Sequence, residues 1–198
     1  MTGINLIRPI LDACRDHPER MALRIPQMEG QRCAGEQVMT YGDLGVEVGR
    51  LQRALQAMGL KQGDRVLILS RVRSEIYTLM IALLGLGMVP VLIDRGMSPD
   101  RIRQSIRLSK ARAAIGEARI LRLWWLFPPL WFIKRLAIDD RLIGVDDLRT
   151  WKPDHADPQA VDLDEHAHGL ITFTSGSTGQ PKGADRTHAS LIAQHDAI

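Results

Sequence analysis

Short apolar segments alternate with helical segments along most of the chain, and this alternation constrains the fold more than any other feature. Residues 66–69 and 88–94 are continuous apolar runs of the kind found in buried strands. Residues 74–87 and 98–111 follow these runs and are predicted to be helices, each beginning at a serine cap. A strand, a helix and a second strand in succession favour parallel pairing through a right-handed crossover. The sequence therefore predicts an α/β fold, with a mostly parallel sheet flanked by helices on both faces.

Elements of the same kind precede and follow this central part. Thr40 is predicted to cap the helix that precedes the first apolar run, and Gly59 is its stop signal. The remaining predicted elements are a helix that ends near Pro18, a strand at 22–26, a helix at 42–59, a strand at 112–117, a strand at 168–175 and a helix at 187–198.

Charge is unevenly distributed, although the net charge is only +3. Residues 101–135 contain nine Lys or Arg and one acid, Glu117, whereas residues 139–165 contain nine acids. We interpret these segments as a basic face and an acidic linker, because a weak overall excess of positive charge is poor evidence for nucleic-acid binding. No nucleic-acid partner is predicted.

Cysteine usage and hydropathy predict a cytoplasmic protein. Cys14 and Cys33 have neither metal-ligand nor redox spacing, so a reducing compartment is the default interpretation. The N-terminal residues carry Arg, Asp and Pro too early for a signal peptide. No uninterrupted apolar run reaches the roughly 18 residues that a membrane-spanning helix needs.

The strongest functional signal is the segment 172–183, TFTSGSTGQPKG, which follows a predicted buried strand. Its glycines let the backbone turn and approach a ligand closely, and successive N–H groups can then form a nest for an anion. Hydroxyl groups and one lysine add donors and a positive charge, which suits a triphosphate or pyrophosphate group. The residues predicted to bind phosphate are Thr174, Ser175, Gly176, Ser177, Thr178, Gly179 and Lys182.

Other loops with similar composition do not match this segment. A Walker loop needs Gly-Lys-Ser/Thr at the spacing where this chain has Pro181-Lys182-Gly183. The dinucleotide pattern G-x-G-x-x-G is absent from it, and so is the hydrolase pattern G-x-S-x-G, which argues against Ser175 as a nucleophile. A flexible linker does not explain why the loop lies between a buried strand and a predicted helix.

The ten residues TSGSTGQPKG closely resemble the signature loop of the adenylate-forming (AMP-binding) superfamily of acyl and aryl acid ligases. The resemblance extends in colinear order from about Ile4 to Ile198. The other segments that carry it are MTYGDL (39–44), LKQGDRVLIL (60–69), LGLGMVPVLID (84–94) and Thr187-His188.

The resemblance implies ATP-dependent activation of a carboxylic acid. The carboxylate attacks the α-phosphate of ATP, giving an acyl-adenylate and pyrophosphate, and the acyl group is then transferred to CoA or another acceptor. The hydroxyls and amides of the loop would hold the β- and γ-phosphates, and Lys182 would neutralise charge on the departing pyrophosphate. The implied cofactors are ATP, Mg²⁺, whose ligands would lie downstream of this chain, and CoA.

The resemblance also implies that the chain is the N-terminal portion of a longer enzyme. In that family the adenine-binding segment, the magnesium ligand, the ribose-binding aspartate and the catalytic lysine all follow this point, so no catalytic residue is predicted here. The expected division of this incomplete domain (1–198) is an α/β portion (1–150), an acidic linker (151–167) and a strand–loop–helix unit (168–198). Such a portion should not turn over alone. The alternative is a catalytically inactive remnant that binds nucleotide or a partner.

Two further segments bear on the substrate and the partners. Residues 89–98, VPVLIDRGMS, resemble the form found in olefin β-lactone synthetases and some fatty acyl ligases, although Arg95 replaces a proline, and they imply an acyl substrate. Residues 120–138 are rich in Trp and Phe and are flanked by Arg and Lys, which predicts either a peripheral membrane contact or a covered core or oligomer contact.

His188 is a candidate for the acyl or nucleotide pocket or for a structural role. The acids and histidines at 164–168 are not predicted to bind metal.

Overall fold

In the part of the chain that the structure describes, seven strands form the main sheet and two further strands form a separate hairpin. The computed structural model describes residues 3–29, 32–70, 74–94, 96–139, 145–147, 157–175 and 180–197. The helices are α1 (Arg8–Asp16), α2 (Tyr41–Ala57), α3 (Ser74–Gly85), α4 (Pro99–Ser109), α5 (Ala118–Leu121) and α6 (His188–Asp196). The strands are β1 (Met21–Glu29), β2 (Arg32–Thr40), β3 (Arg65–Leu69), β4 (Val89–Ile93), β5 (Ala113–Gly116), β6 (Lys134–Ala137), β7 (Asp146–Asp147), β8 (His168–Ser175) and β9 (Pro181–Thr187).

The strand order of the main sheet is β7-β6-β5-β3-β4-β8-β9. Every neighbouring pair is parallel except β8 and β9, which form an antiparallel hairpin. The chain moves from β3 to β4 through α3 and then returns to the other side of β3 through α4. The predicted mostly parallel α/β sheet with helices on both faces is confirmed.

The central strands are apolar throughout because both of their faces are covered. In β3, Val66 and Ile68 pack with α2 and α3, whereas Leu67 packs on the opposite face with Ile106 of α4. Side chains that alternate between two buried faces produce a continuous apolar run, which is the pattern of a buried parallel strand.

Local sequence signals set the ends of the predicted helices. Thr40 and Asp43 form a capping box at the start of α2, with the Thr40 hydroxyl accepting from the Asp43 amide at 3.1 Å. Gly59 and Gly87 have positive φ angles of 75° and 66°, so each lets the chain turn after its helix. Ser98 precedes α4 as predicted, but its side chain makes no capping hydrogen bond within the described part of the chain.

Four of the described strands, β2, β6, β7 and β9, were not predicted from the sequence, and the two longest of them are β2 and β9. β2 pairs with β1 outside the main sheet, and β9 lies at the edge of the main sheet directly after the glycine-rich loop. Both are poor in apolar residues, and β9 is mostly exposed, so neither shows the apolar periodicity that marks a half-buried strand. Backbone pairing with a neighbouring strand, and not side-chain pattern, makes them strands.

Two buried amides hold the end of the acidic segment against the helical layer. The Asn5 amide nitrogen donates to the carbonyls of Leu84 and Gly85 at the end of α3 and to the Val161 carbonyl, at 3.2, 3.2 and 2.9 Å. Gln52 of α2 exchanges two hydrogen bonds with the Gln159 backbone, each of 2.7 Å. Residues 159–161 are therefore a fixed part of the fold.

Candidate functional site

The glycine-rich segment connects β8 to β9, and these two strands pair as an antiparallel hairpin. The register of this hairpin pairs Thr174 with Lys182 and Ser175 with Pro181. Directly opposed residues of an antiparallel pair point to the same face, with Cβ atoms about 5 Å apart. The Thr174 and Lys182 side chains are both exposed. The fold therefore brings a predicted hydroxyl donor and the predicted cation together at the base of the loop.

Most of the remaining predicted phosphate-binding residues belong to the segment that connects β8 to β9 in the sequence. Gly176, Ser177, Thr178 and Gly179 lie outside the described residues, and so does the side chain of Ser175. Their assignment to phosphate stays a prediction.

The helix predicted at 187–198 is present as α6, but an unpredicted strand, β9, lies between it and the loop. Residues after the loop continue as β9, and α6 begins only at His188. Pro181 is the first residue of this edge strand, a position where the missing N–H of proline is tolerated. Lys182 is thus held on a hydrogen-bonded strand, and its backbone is more rigidly positioned than it would be in a loop.

Several contacts fix the hairpin at the carboxyl edge of the sheet, where α/β proteins bind ligands. The Asp94 amide donates to the Phe173 carbonyl at 3.0 Å and so ties the end of β4 to β8. Gln104 of α4 is hydrogen-bonded to Gln180 beside the tip. A Cβ on Gly183 would meet the Phe173 ring at 3.1 Å, so glycine lets this ring cover the paired strand. In the sequence, the position of Asp94 at the end of a predicted strand was the one indication of these contacts.

An apolar cavity of about 320 Å³ opens at the same edge. It lies between α4 and the segment that follows α5, above the ends of β3 and β4. Ser70 and Asp94 supply its polar groups, and the rest of its wall is apolar. The apolar residues are Ile68, Leu69, Leu92, Ile93, Ile102, Ile106, Ile120, Leu123, Phe127 and Leu130.

His188 lies in the interior, away from the loop. It is fully buried, and its Nδ1 accepts a hydrogen bond from the Leu6 amide at 3.2 Å. Nε2 has no hydrogen-bond partner among the described residues. The length of β9 separates His188 from Lys182 by roughly 20 Å. A role for His188 in a pocket stays a prediction.

We expect His188 to make stability depend on pH. Burial lowers the pKa of His188 from its ordinary value of 6.5. The unfolded chain therefore takes up this proton near pH 6.5, whereas the folded chain takes it up only at lower pH. The contribution to stability is full above 6.5 and is lost as the pH falls toward the folded-state pKa. Urea unfolding of the wild type and of His188→Asn should be measured from pH 6.5 downward. The free energy of unfolding should depend less steeply on pH in the variant, and equal slopes would contradict the expectation.

Among the described residues, no three His, Cys, Asp or Glu side chains cluster closely enough to hold a metal ion. None of the described helices is long and apolar enough to cross a membrane.

Comparison with known protein families gives a match to one family over most of the chain. The model of the AMP-binding enzyme family matches residues 11–198, which is nearly the whole chain. The chain belongs to this family. The predicted resemblance to the adenylate-forming superfamily is therefore confirmed.

Curated relatives of the chain include a synthetase and a ligase. An olefin beta-lactone synthetase from Stenotrophomonas maltophilia is 30% identical over 96% of this chain and 36% of its own length. A medium/long-chain-fatty-acid–[acyl-carrier-protein] ligase from Mycobacterium tuberculosis is 26% identical over 96% of this chain and 34% of its own. The chain spans about a third of the length of these relatives.

Solved structures show the same fold. An acyl-CoA synthetase from Brucella canis superposes with a TM-score of 0.81 at 21% identity, over 97% of this chain and 35% of that protein. At this identity the likeness establishes the fold of the N-terminal portion and not the substrate.

Proposed function

We propose that this chain is the N-terminal part of an ATP-dependent ligase that converts a carboxylic acid into an acyl-adenylate and pyrophosphate. The observation that carries the proposal is the hairpin at the carboxyl edge of the sheet, which opposes Thr174 to Lys182 beneath the family's signature loop. Membership of the AMP-binding family over residues 11–198 supports it.

In the proposed reaction the loop binds the phosphates of ATP. Backbone amides and hydroxyls of residues 174–179 hold the β- and γ-phosphates, and Lys182 neutralises the charge that develops on pyrophosphate as the carboxylate attacks. Donors that are in place before the reaction need little reorganisation during it, which favours charge stabilisation. Mg²⁺ and CoA belong to the proposal as cofactors. The described residues offer no cluster of ligands for Mg²⁺, and we assign it none in this chain.

We propose an apolar acid, such as a fatty acid, as the substrate. The apolar cavity of about 320 Å³ supports this choice because it opens at the same sheet edge as the loop. Two relatives, an olefin beta-lactone synthetase and a medium/long-chain-fatty-acid–[acyl-carrier-protein] ligase, give the same support through their names. The acyl acceptor in the proposal is CoA or a carrier protein.

We propose a cytoplasmic enzyme with a peripheral membrane contact through residues 120–138. This segment is neither a covered core segment nor wholly exposed, because Leu121 and Leu130 are buried and anchor it to α4. Its large outward side chains support the contact: Trp125 is 59% exposed, Trp131 47% and Phe132 93%. Aromatic rings with flanking cations are typical of membrane interfaces.

The acid requirement of ATP–pyrophosphate exchange tests the ligase proposal. The protein expressed from its complete reading frame should catalyse exchange with medium- or long-chain fatty acids and not without an acid. Absence of acid-dependent exchange in a complete protein that still binds ATP would favour a nucleotide-binding remnant instead. The 198-residue chain alone should give no exchange.

A further inference from the structure

A basic cleft lies at the amino edge of the sheet, opposite to the edge that carries the glycine-rich loop. It is open and has a volume of about 640 Å³. Arg65, Lys110, Arg112 and Lys134 line it together with one carboxylate, Asp64. Phe132 stands at its rim.

The fold assembles this charge from separate segments. Backbone hydrogen bonds link Arg112 to Arg65 at 2.8 Å and Lys134 to Arg112 at 3.2 Å. One cation thus comes to the cleft from the amino end of each of the neighbouring strands β3, β5 and β6, with Arg112 directly before β5. Lys110, at the C-terminal end of α4, adds a fourth. A cation at the end of a helix also stabilises the helix dipole, but that explanation does not apply to the three cations at the strand ends.

Little of this charge is neutralised within the described part of the chain. Arg112 lies 3.5 Å from Asp64, whereas Arg65 and Lys134 donate to the carbonyls of Ser109 and Met58, which carry no full charge. Lys110 makes no ion pair among the described residues. The cleft therefore carries a net positive charge and favours an anionic ligand.

The aromatic side chains beside the cleft are held outward by the fold. Two short 3₁₀ turns, Trp124–Leu126 and Pro128–Leu130, form the crossover between β5 and β6. The Trp131 indole donates to the Trp125 carbonyl at 3.2 Å, which joins the two turns. The chain then presents Phe132 to solvent before entering β6.

We infer that this cleft binds the phosphate of anionic phospholipids at a bilayer surface, with Trp131 and Phe132 inserted beside it into the interfacial region. The inference gives a headgroup site to the proposed membrane contact and rests on that contact, but not on ligase activity. Binding of a free phosphate ion would account for the cations of the cleft. It would not account for Phe132 at the rim, which is almost fully exposed. An open cleft also suits a headgroup that approaches from a flat surface better than an ion that must be enclosed.

The two edges of the sheet would then have different roles. The basic cleft and Phe132 lie at the amino edge, and the glycine-rich loop lies at the carboxyl edge. A bilayer that binds the cleft leaves the loop facing away from the lipid. Occupation of the loop by tripolyphosphate should therefore leave vesicle binding unchanged.

Vesicle flotation without ATP or acid tests the headgroup site. The complete protein should bind phosphatidylcholine vesicles that contain phosphatidylglycerol about tenfold more tightly than phosphatidylcholine alone, because each cation near an anionic surface adds to the attraction. The double variant Lys110→Gln/Arg112→Gln should lose most of this preference, and Trp131→Ser/Phe132→Ser should weaken binding to both vesicles. Arg20→Gln/Arg53→Gln, which removes the same charge from two exposed arginines elsewhere, should bind like the wild type.

Four results would overturn the inference, and the first three concern vesicle binding. The first is equal binding to both kinds of vesicle. The second is an equal loss of vesicle binding in the control double variant. The third is release of the protein from vesicles by inorganic phosphate at a concentration similar to that of the lipid phosphate. Formation of a complex with an acidic protein, without vesicle binding, would also overturn it. Circular dichroism of each variant checks that the fold is intact. Acid-dependent exchange is not part of this measurement, so failure of the ligase proposal leaves its outcome unchanged.

Discussion

Replacement of Lys182 by alanine is expected to lower acid-dependent ATP–pyrophosphate exchange by roughly 10- to 150-fold. A hydrogen bond to a charged group contributes about 1.5–3 kcal/mol, and each 1.4 kcal/mol is a factor of ten. Lys182 lies on β9 opposite Thr174, and its side chain is exposed, so no packing is lost on truncation. The effect should therefore appear in exchange and not in the unfolding midpoint.

The matched control for this variant is Lys61→Ala, which removes an exposed lysine from the turn before β3. It should leave exchange unchanged. Undiminished exchange in Lys182→Ala would contradict the assigned role. If the reading frame ends at residue 198, calorimetric binding of tripolyphosphate to the chain replaces the exchange assay, and equal affinity of the wild type and Lys182→Ala is then the contradicting result.

Replacement of Asn5 by leucine is expected to lower the free energy of unfolding by about 2–4 kcal/mol. Leucine has nearly the same shape but no polar atoms, so the carbonyls of Leu84, Gly85 and Val161 lose their common donor. The Ile7 amide also loses the Asn5 oxygen, which accepts from it at 3.1 Å. The carbonyls of Leu84 and Gly85 keep the amides of Gly87 and Val161 as donors. The loss therefore comes mainly from the Val161 carbonyl and the Ile7 amide, because a buried polar group left without a partner costs about 1–3 kcal/mol.

Urea unfolding of Asn5→Leu measures this loss. Gln56→Ala, an exposed position on α2, is the control and should stay within about 0.5 kcal/mol of the wild type. Gln52→Leu should resemble Asn5→Leu, because Gln52 holds the neighbouring Gln159 backbone in the same way. A stable Asn5→Leu protein would mean that water or a rearranged segment replaces the lost donor.

Where a physical rule acts within a few residues, the sequence predicted the structure. β3 and β4 were recognised because their continuous apolar runs reflect burial on both faces. The start of α2 was recognised because Thr40 and Asp43 satisfy the first free amides of the helix. Gly59 was recognised as a stop because its positive φ of 75° disfavours other residues.

Where contacts with another segment of the chain decide the conformation, the sequence did not predict the structure. β9 contains Lys182, Asp185 and Arg186 and has no apolar alternation, so only its hydrogen bonds to β8 identify it as a strand. Asn5 gave no signal either, because its partners lie 79 to 156 residues away along the chain. Local propensity contains no information on such contacts.

The glycine-rich loop, the alternation of strands and helices and the family are determined by the sequence itself, because each is encoded in consecutive residues. Tertiary structure alone decided that Thr174 stands opposite Lys182 and that this hairpin shares a sheet edge with the apolar cavity. It also decided that Arg65, Lys110, Arg112 and Lys134 converge on the opposite edge. Parallel pairing of β3, β5 and β6 is the reason, since it aligns the amino ends of strands that are far apart in the chain.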